Sequence, residues 1–264
     1  MPRILVTNDD GVASEGIAAL AAALRPLGEV LVVAPHAESS AIGHALTLRR
    51  PLRIEEHRPG FYAVDGTPTD CVNLGVAVLM KNQPPDLVVS GINTGWNLGD
   101  DVTYSGTVAG ALEGALLGIP AIAISLRRSR NSVFDFGPSG RVAAILADLV
   151  LRHGLPDRTF LNVNMPKGMP LGFKRTVQGR RNHITKIAER VDPRGKPYYW
   201  IEEGIDEWSA HDHSDYHAVK QGYVSVSLLS PDMTAHSARE SLEQFPFPAD
   251  SAFAEPAEVT ERKR

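Results

Sequence analysis

Residues Ile4–Val12 read ILVTNDDGV: four apolar or β-branched residues, then Asn8, two adjacent aspartates and Gly11. A run that is apolar at successive positions suits a parallel strand covered on both faces. With Arg3 it forms RILVT, a first core strand, and the polar NDDG marks that strand's carboxyl end. Within a strand, neighbouring side chains point to opposite faces. In a turn just beyond it, with Gly11 giving backbone freedom, Asp9 and Asp10 can point at one centre. Two readings of the pair stand. It is a polar turn with Asp10 near a helix start, or a place where a hard divalent cation (Mg²⁺, Mn²⁺ or Ca²⁺) cancels the repulsion between the carboxylates.

Working outward, strand-like and helix-like segments alternate. GIAALAAALRPLG (Gly16–Gly28) is a helix closed by Pro26 and Gly28, and EVLVVAP (Glu29–Pro35) is a second core strand. TPTDCVNLGVAVLM (Thr67–Met80) reads as a helix and DLVVS (Asp86–Ser90) as a third strand. In the next helix, GTVAGALEGALLG (Gly106–Gly118), glycines recur at 110, 114 and 118, so its backbone can lie close to a sheet. PAIAIS (Pro120–Ser125), SGRVAAILADLVLRHG (Ser139–Gly154) and FLNVN (Phe160–Asn164) add a strand, a helix and a fifth strand. This rhythm predicts a Rossmann-like, doubly wound, mostly parallel α/β sheet.

Two regions break the rhythm. Leu46–Val64 reads as short inserted strands. Residues 172–230 lose the helical period and contain VDPRGKPYYWI, whose Asp192–Gly195 carries turn chemistry between two strand-like arms. The expected organisation is an α/β core over 1–170 that carries the site, a β-rich extension over 171–232 used as an arm in oligomer contacts, and a C-terminal helix with a loose tail over 233–264.

Composition removes several function classes. A net charge of −4 offers no general attraction to nucleic acid or an anionic membrane, so neither a duplex nor a membrane is an expected partner. One cysteine, Cys71, cannot form an internal disulfide or a cysteine-rich zinc site. With no leader pattern after Met1 and no apolar run long enough to span a bilayer, the expectation is a soluble cytoplasmic protein.

In an open parallel sheet, ligands bind at the carboxyl ends of the strands. That rule selects NDDGV, HAESSAIGH (His36–His44), VDGTPTD (Val64–Asp70) and GINTGWNLGDDVTYS (Gly91–Ser105). The last carries Asn93, Asn97, Asp100 and Asp101 and then delivers Ser105-Gly106-Thr107 at a helix start. Free backbone N–H groups and two hydroxyls there suit a phosphate; an ordinary N-cap has the same sequence. No G-x-G-x-x-G, Walker, G-x-S-x-G or H-E-x-x-H pattern is present. HDHSDYH (His211–His217) reads as a solvated loop rather than a transition-metal site. Lys174–Arg175 and Arg180–Arg181 read as surface charge, and Tyr198–Trp200 as hairpin or interface packing.

Taken together, the segments ILVTNDDG, VVAP with SAIGH, GTPTDCV, VSGIN, YSGTVAGALEG, IPAIAIS, LNVNMP and DYHAVKQGYVS resemble the SurE (survival protein E) family of metal-dependent nucleotidases, in order and spacing. The resemblance implies one divalent cation per subunit, Mg²⁺ or Mn²⁺, held by Asp9, Asp10, Ser40 and Asn93. It implies a phosphate pocket at Asn97, Ser105, Gly106 and Thr107. Nucleoside 5′- and often 3′-monophosphates are the implied substrates, with polyphosphate trimming in some members, and a homodimer or homotetramer the implied assembly. Asp9 would act on the attacking group, as nucleophile or by activating water. Ser39, Thr94 and Trp96 depart from the family pattern, which bears on substrate preference. A metal-dependent nucleotide-binding regulator without turnover is the alternative, and a sugar-nucleotide transferase a weaker one, because the acidic pair is adjacent rather than D-x-D.

Overall fold

Along the chain, β1 (Arg3–Thr7), α1 (Glu15–Leu24) and β2 (Glu29–Pro35) form a βαβ start, followed by a hairpin of β3 (Ile54–Arg58) and β4 (Phe61–Val64). Next come α2 (Pro68–Leu74), a π-helical turn at Gly75–Leu79 and β5 (Leu87–Asn93). A 3₁₀ turn at Gly99–Thr103 precedes α3 (Gly106–Leu116), β6 (Ala121–Ser125), α4 (Gly137–His153) and β7 (Phe160–Asn164). The remaining elements are β8 (Phe173–Thr176), β9 (Arg181–His183), β10 (Lys186–Val191), β11 (Pro197–Glu202), β12 (Asp206–Trp208), α5 (Asp215–Lys220) and β13 (Val224–Leu229). The structure, a computed structural model, describes residues 1–127, 134–183, 186–202, 206–208 and 211–245.

Nine strands form one sheet in the order β3-β4-β2-β1-β5-β6-β7-β13-β8. From β4 to β7 every pairing is parallel, while β3 and β13 run antiparallel to β4 and β7. The period-2 alternation of a strand explains why β1 is apolar throughout. Ile4 and Val6 pack with α1 and α4 on one face, and Leu5 with α2 and α3 on the other. All three are fully buried, and burying a side chain of this kind contributes roughly 1.5–3 kcal/mol.

Small residues bring α3 against the sheet. A Cβ on Gly110 would stand 2.7 Å from Thr7 Cγ2, and one on Gly114 would stand 2.9 Å from Val88 Cβ. Gly118, third in the series, acts differently: it follows the helix end with φ +75° and open space around it, so it turns the chain.

The segment after residue 171 divides between the sheet and structures outside it. β8 and β13 complete the sheet edge, whereas β10–β11 and β9–β12 pair as separate two-stranded ribbons. In the β10–β11 hairpin, Asp192 Oδ1 accepts from the amides of Arg194 and Lys196, both at 2.8 Å, and Gly195 takes φ +80°. The helix α5 lies inside the stretch that lacks a helical period; at six residues it is too short to display one. Residues Asp232 onward form a second unit with a 3₁₀ stretch at His236–Gln244, where Asp232 Oδ1 accepts from Thr234 N. The loose tail expected after Phe245 lies outside the described residues. Among those described, no helix is long and apolar enough to cross a membrane.

Candidate active site

The strand order reverses at β1. Its successor β2 lies on one side and β5 on the other, so the loops leaving β1 and β5 diverge and open a crevice. At its base the NDDG turn is held from within. Asn8 Nδ2 donates to Gly11 O (3.1 Å) and to Ser14 Oγ (2.8 Å), and Gly11 adopts φ +95°. Asp9 is only 4% exposed and packs on the start of α3, where the Thr107 hydroxyl donates to its Oδ1. Gly106 is required by that contact, since a Cβ there would stand 2.7 Å from Asp9 Cβ and 2.9 Å from its Oδ2. Ser105 Oγ accepts from Val108 N at 3.0 Å as the N-cap of α3.

Burial pushes the Asp9 carboxyl above its ordinary range, against the Thr107 hydrogen bonds that lower it. Asp10 is pushed up to about 6 by burial first, then by the neighbouring charges of Asp9 and Glu38. Two carboxylates are thus crowded into one corner with a third nearby, an arrangement that favours either a proton or a cation.

Asp10, Ser40 and Asn93 line one cavity of about 450 Å³ at this corner, beside Trp96 and Arg127. The loop bearing Ser40 is tied down by Ser39 N, which donates to Asp9 O (2.7 Å), while Ser40 Oγ donates to Glu38 Oε1 (2.7 Å). Asn93 Nδ2 donates to Gly95 O (2.8 Å), which leaves its Oδ1 as an acceptor. Asn97 is buried next to this cavity rather than in its lining: its Nδ2 donates to Ser125 Oγ (2.8 Å) and its N–H to Asn164 Oδ1 (2.9 Å). Among the described residues, no group of three His, Cys, Asp or Glu side chains is placed to hold a metal. Two carboxylates with neutral serine and asparagine oxygens form an oxygen-only donor set, which fits a hard divalent cation and not a soft one.

Residues 4–187 match the family profile described as Survival protein SurE. The chain belongs to the SurE family. A relative named 5′-nucleotidase SurE from Syntrophotalea carbinolica is 51% identical over 92% of this chain and 96% of its own length. Another, 5′-nucleotidase SurE 1 of Thermus thermophilus, is 52% identical over 91% of this chain and 96% of its own. The crystal structure of the SurE protein from Aquifex aeolicus superposes with a TM-score of 0.82 at 46% identity, covering 92% of this chain and 98% of that one.

Several residues that shape this SurE-family site carry little signal in the sequence. Asn162 and Asn164 of β7 are fully buried and both donate to Asn97 O, at 2.9 and 3.0 Å. Two asparagines on one face of a core strand are a legible oddity, and they fix the loop after β5. Asp215 had no such signal among the polar residues around it. It is fully buried, and its carboxylate accepts from Gly99 N (2.8 Å) and Gly179 N (3.0 Å). His44 and Glu113, and the ring pair Trp208–Tyr216, likewise emerge only in three dimensions.

Proposed function

We propose that this chain is a divalent-metal-dependent phosphomonoesterase that hydrolyses nucleoside 5′- and 3′-monophosphates to nucleoside and phosphate, and also trims polyphosphate. The observation that carries the reading is that Asp10, Ser40 and Asn93 line one cavity at the sheet's switch point, with the neighbouring Asp9 packed on the start of α3. Two relatives at about half identity bear the name 5′-nucleotidase, which supports it.

In this reading Asp9, Asp10, Ser40 and Asn93 hold one Mg²⁺ or Mn²⁺ ion. When bound, the ion supplies positive charge that neutralises the phosphate and polarises the phosphorus–oxygen bond. The start of α3, at Ser105, Gly106 and Thr107, steadies the transferring phosphoryl group through its backbone N–H groups, and Asn97, whose own donors are taken by Ser125 and Asn164, holds the loop beside it. Thr107 also keeps the Asp9 carboxylate oriented, and Asp9 acts on the attacking group. The exposed apolar residues of the β10–β11 hairpin, among them Ile187, Trp200 and Ile201, support a homodimer or homotetramer built through that arm. A lone buried Cys71 is in keeping with a cytoplasmic setting.

The test is phosphate release from several nucleoside monophosphates by purified protein, with and without Mn²⁺ or Mg²⁺. Metal-dependent release supports the reading. Nucleotide binding without release would replace it with the regulator, in which the same corner acts as a sensor and Trp96, held by Met165 O at 2.5 Å, closes over the ligand.

A further inference from the structure

We propose that the stacked pair Trp208 and Tyr216 is the wall of the cavity against which the nucleobase of the substrate binds; the inference rests on the nucleotide reading above. Trp208 ends β12 and Tyr216 is the second residue of α5, and their rings lie 4.2 Å apart with planes 3° from parallel. Both line the same cavity of about 450 Å³ as Asp10, Ser40 and Asn93, a volume within the ordinary range for a small-molecule site.

The cavity lining combines two chemistries. Asp10, Glu38, Ser40 and Asn93 supply oxygens. Trp208 and Tyr216 supply aromatic surface, with Lys220 Nζ 5.7 Å from the centre of the Tyr216 ring. A nucleoside monophosphate has a matching combination, a charged phosphate at one end and a flat π-surface at the other. Every base offers a π-face, so an aromatic wall retains nucleotides without reading hydrogen-bond edges.

The pair is also built in place rather than left to assemble on binding. Asp215, adjacent to Tyr216, anchors the backbone of Gly99 and Gly179. Those two glycines flank Trp208 closely: a Cβ on Gly99 would stand 2.8 Å from Trp208 Cζ3, and one on Gly179 3.4 Å. One buried carboxylate therefore joins the β5 loop, the approach to β9 and the start of α5 around the indole. A wall held in this way loses little conformational freedom when a base docks.

The experiment compares kcat/KM for adenosine 5′-monophosphate and for ribose 5-phosphate, which lacks the base, in wild type, Trp208→Ala, Trp208→Phe and Tyr216→Leu. Adenosine binding by calorimetry is measured alongside. Trp208→Ala lowers the ratio of the two kcat/KM values roughly 5- to 150-fold, the range stacking supplies, mainly through KM for the nucleotide. Adenosine affinity falls in parallel, Trp208→Phe restores most of both, and Tyr216→Leu repeats the loss. An unchanged ratio in folded variants, or equal loss on both substrates, overturns the base wall while leaving nucleotidase activity standing. Adenosine binding that depends on Trp208 in a protein that releases no phosphate would keep the wall and sink the hydrolase.

Discussion

His44 Nε2 lies 2.6 Å from Glu113 Oε2, joining the loop that carries Ser40 to the middle of α3. Glu113 is buried, and its other oxygen accepts from Asn73 Nδ2 of α2 at 2.7 Å. Three elements, the Ser40 loop, α2 and α3, are thus fastened by one carboxylate. Glu113→Ala strips His44 and Asn73 of a shared partner and costs about 1–3 kcal/mol, read by urea denaturation. The Mn²⁺ concentration for half-maximal phosphate release rises as well, because the Ser40 loop loses its far anchor. Glu113→Gln, which keeps an acceptor for Asn73, recovers part of both.

Gly106→Ala tests the contact between α3 and the Asp9 carboxylate. Alanine is the better helix former by about 1 kcal/mol, so local propensity favours the change. Its Cβ would stand 2.7 Å from Asp9 Cβ, and the carboxylate must move away. Activity falls on the order of tenfold or more, as expected for a misplaced group, while far-UV circular dichroism is unchanged. A fully active variant would show that the position of Asp9 is not critical.

Asp9→Asn removes the charge but keeps the shape. Turnover drops on the order of 10³-fold or more, measured as phosphate release at saturating Mn²⁺. The thermal midpoint stays level or rises, since burial already disfavours the ionised carboxyl. Near-normal turnover in a folded variant would remove Asp9 from the chemistry.

Chelation exposes the strain in the acidic pair. The Asp10 carboxyl sits at about 6 in the native state against 3.8 as its ordinary value. With the native value raised, the protonated form favours folding: the gain is complete below about pH 3.8 and is lost as pH rises through 6. In EDTA, Asp10→Asn is therefore more stable than wild type at pH 7.5 by roughly 1–2 kcal/mol after solvent screening is allowed for. The advantage shrinks toward pH 4. Adding Mn²⁺ reverses the order, because only wild type gains from the ion, and its apparent metal affinity climbs with pH through 6 as the proton and the cation compete.

How much of this was legible beforehand differs by element. The five core strands follow from apolar runs with both faces covered, and β1, β2 and β7 begin and end where the runs do. α2 is shorter than its apolar span suggests. Its Thr67–Asp70 capping box and Pro68 fix the start, but the chain widens into a π turn at Gly75, which sits against Leu5. β8 and β13 could not be recognised as parts of the central sheet, because their pairing depends on a return across about fifty residues.

By itself, the sequence determined that the chain makes a doubly wound parallel sheet and that Asp9, Asp10, Ser40 and Asn93 leave its strands at the carboxyl edge. Those are consequences of local periodicity and of turn residues, which act over a few positions. Only the tertiary structure decided that Thr107 and Gly106 receive Asp9, that Glu113 ties His44 to α3, and that Asp215 sets Trp208 beside Tyr216. Each of these joins residues far apart in the chain, and a buried carboxylate is stable only when the whole fold has carried its hydrogen-bond donors to it.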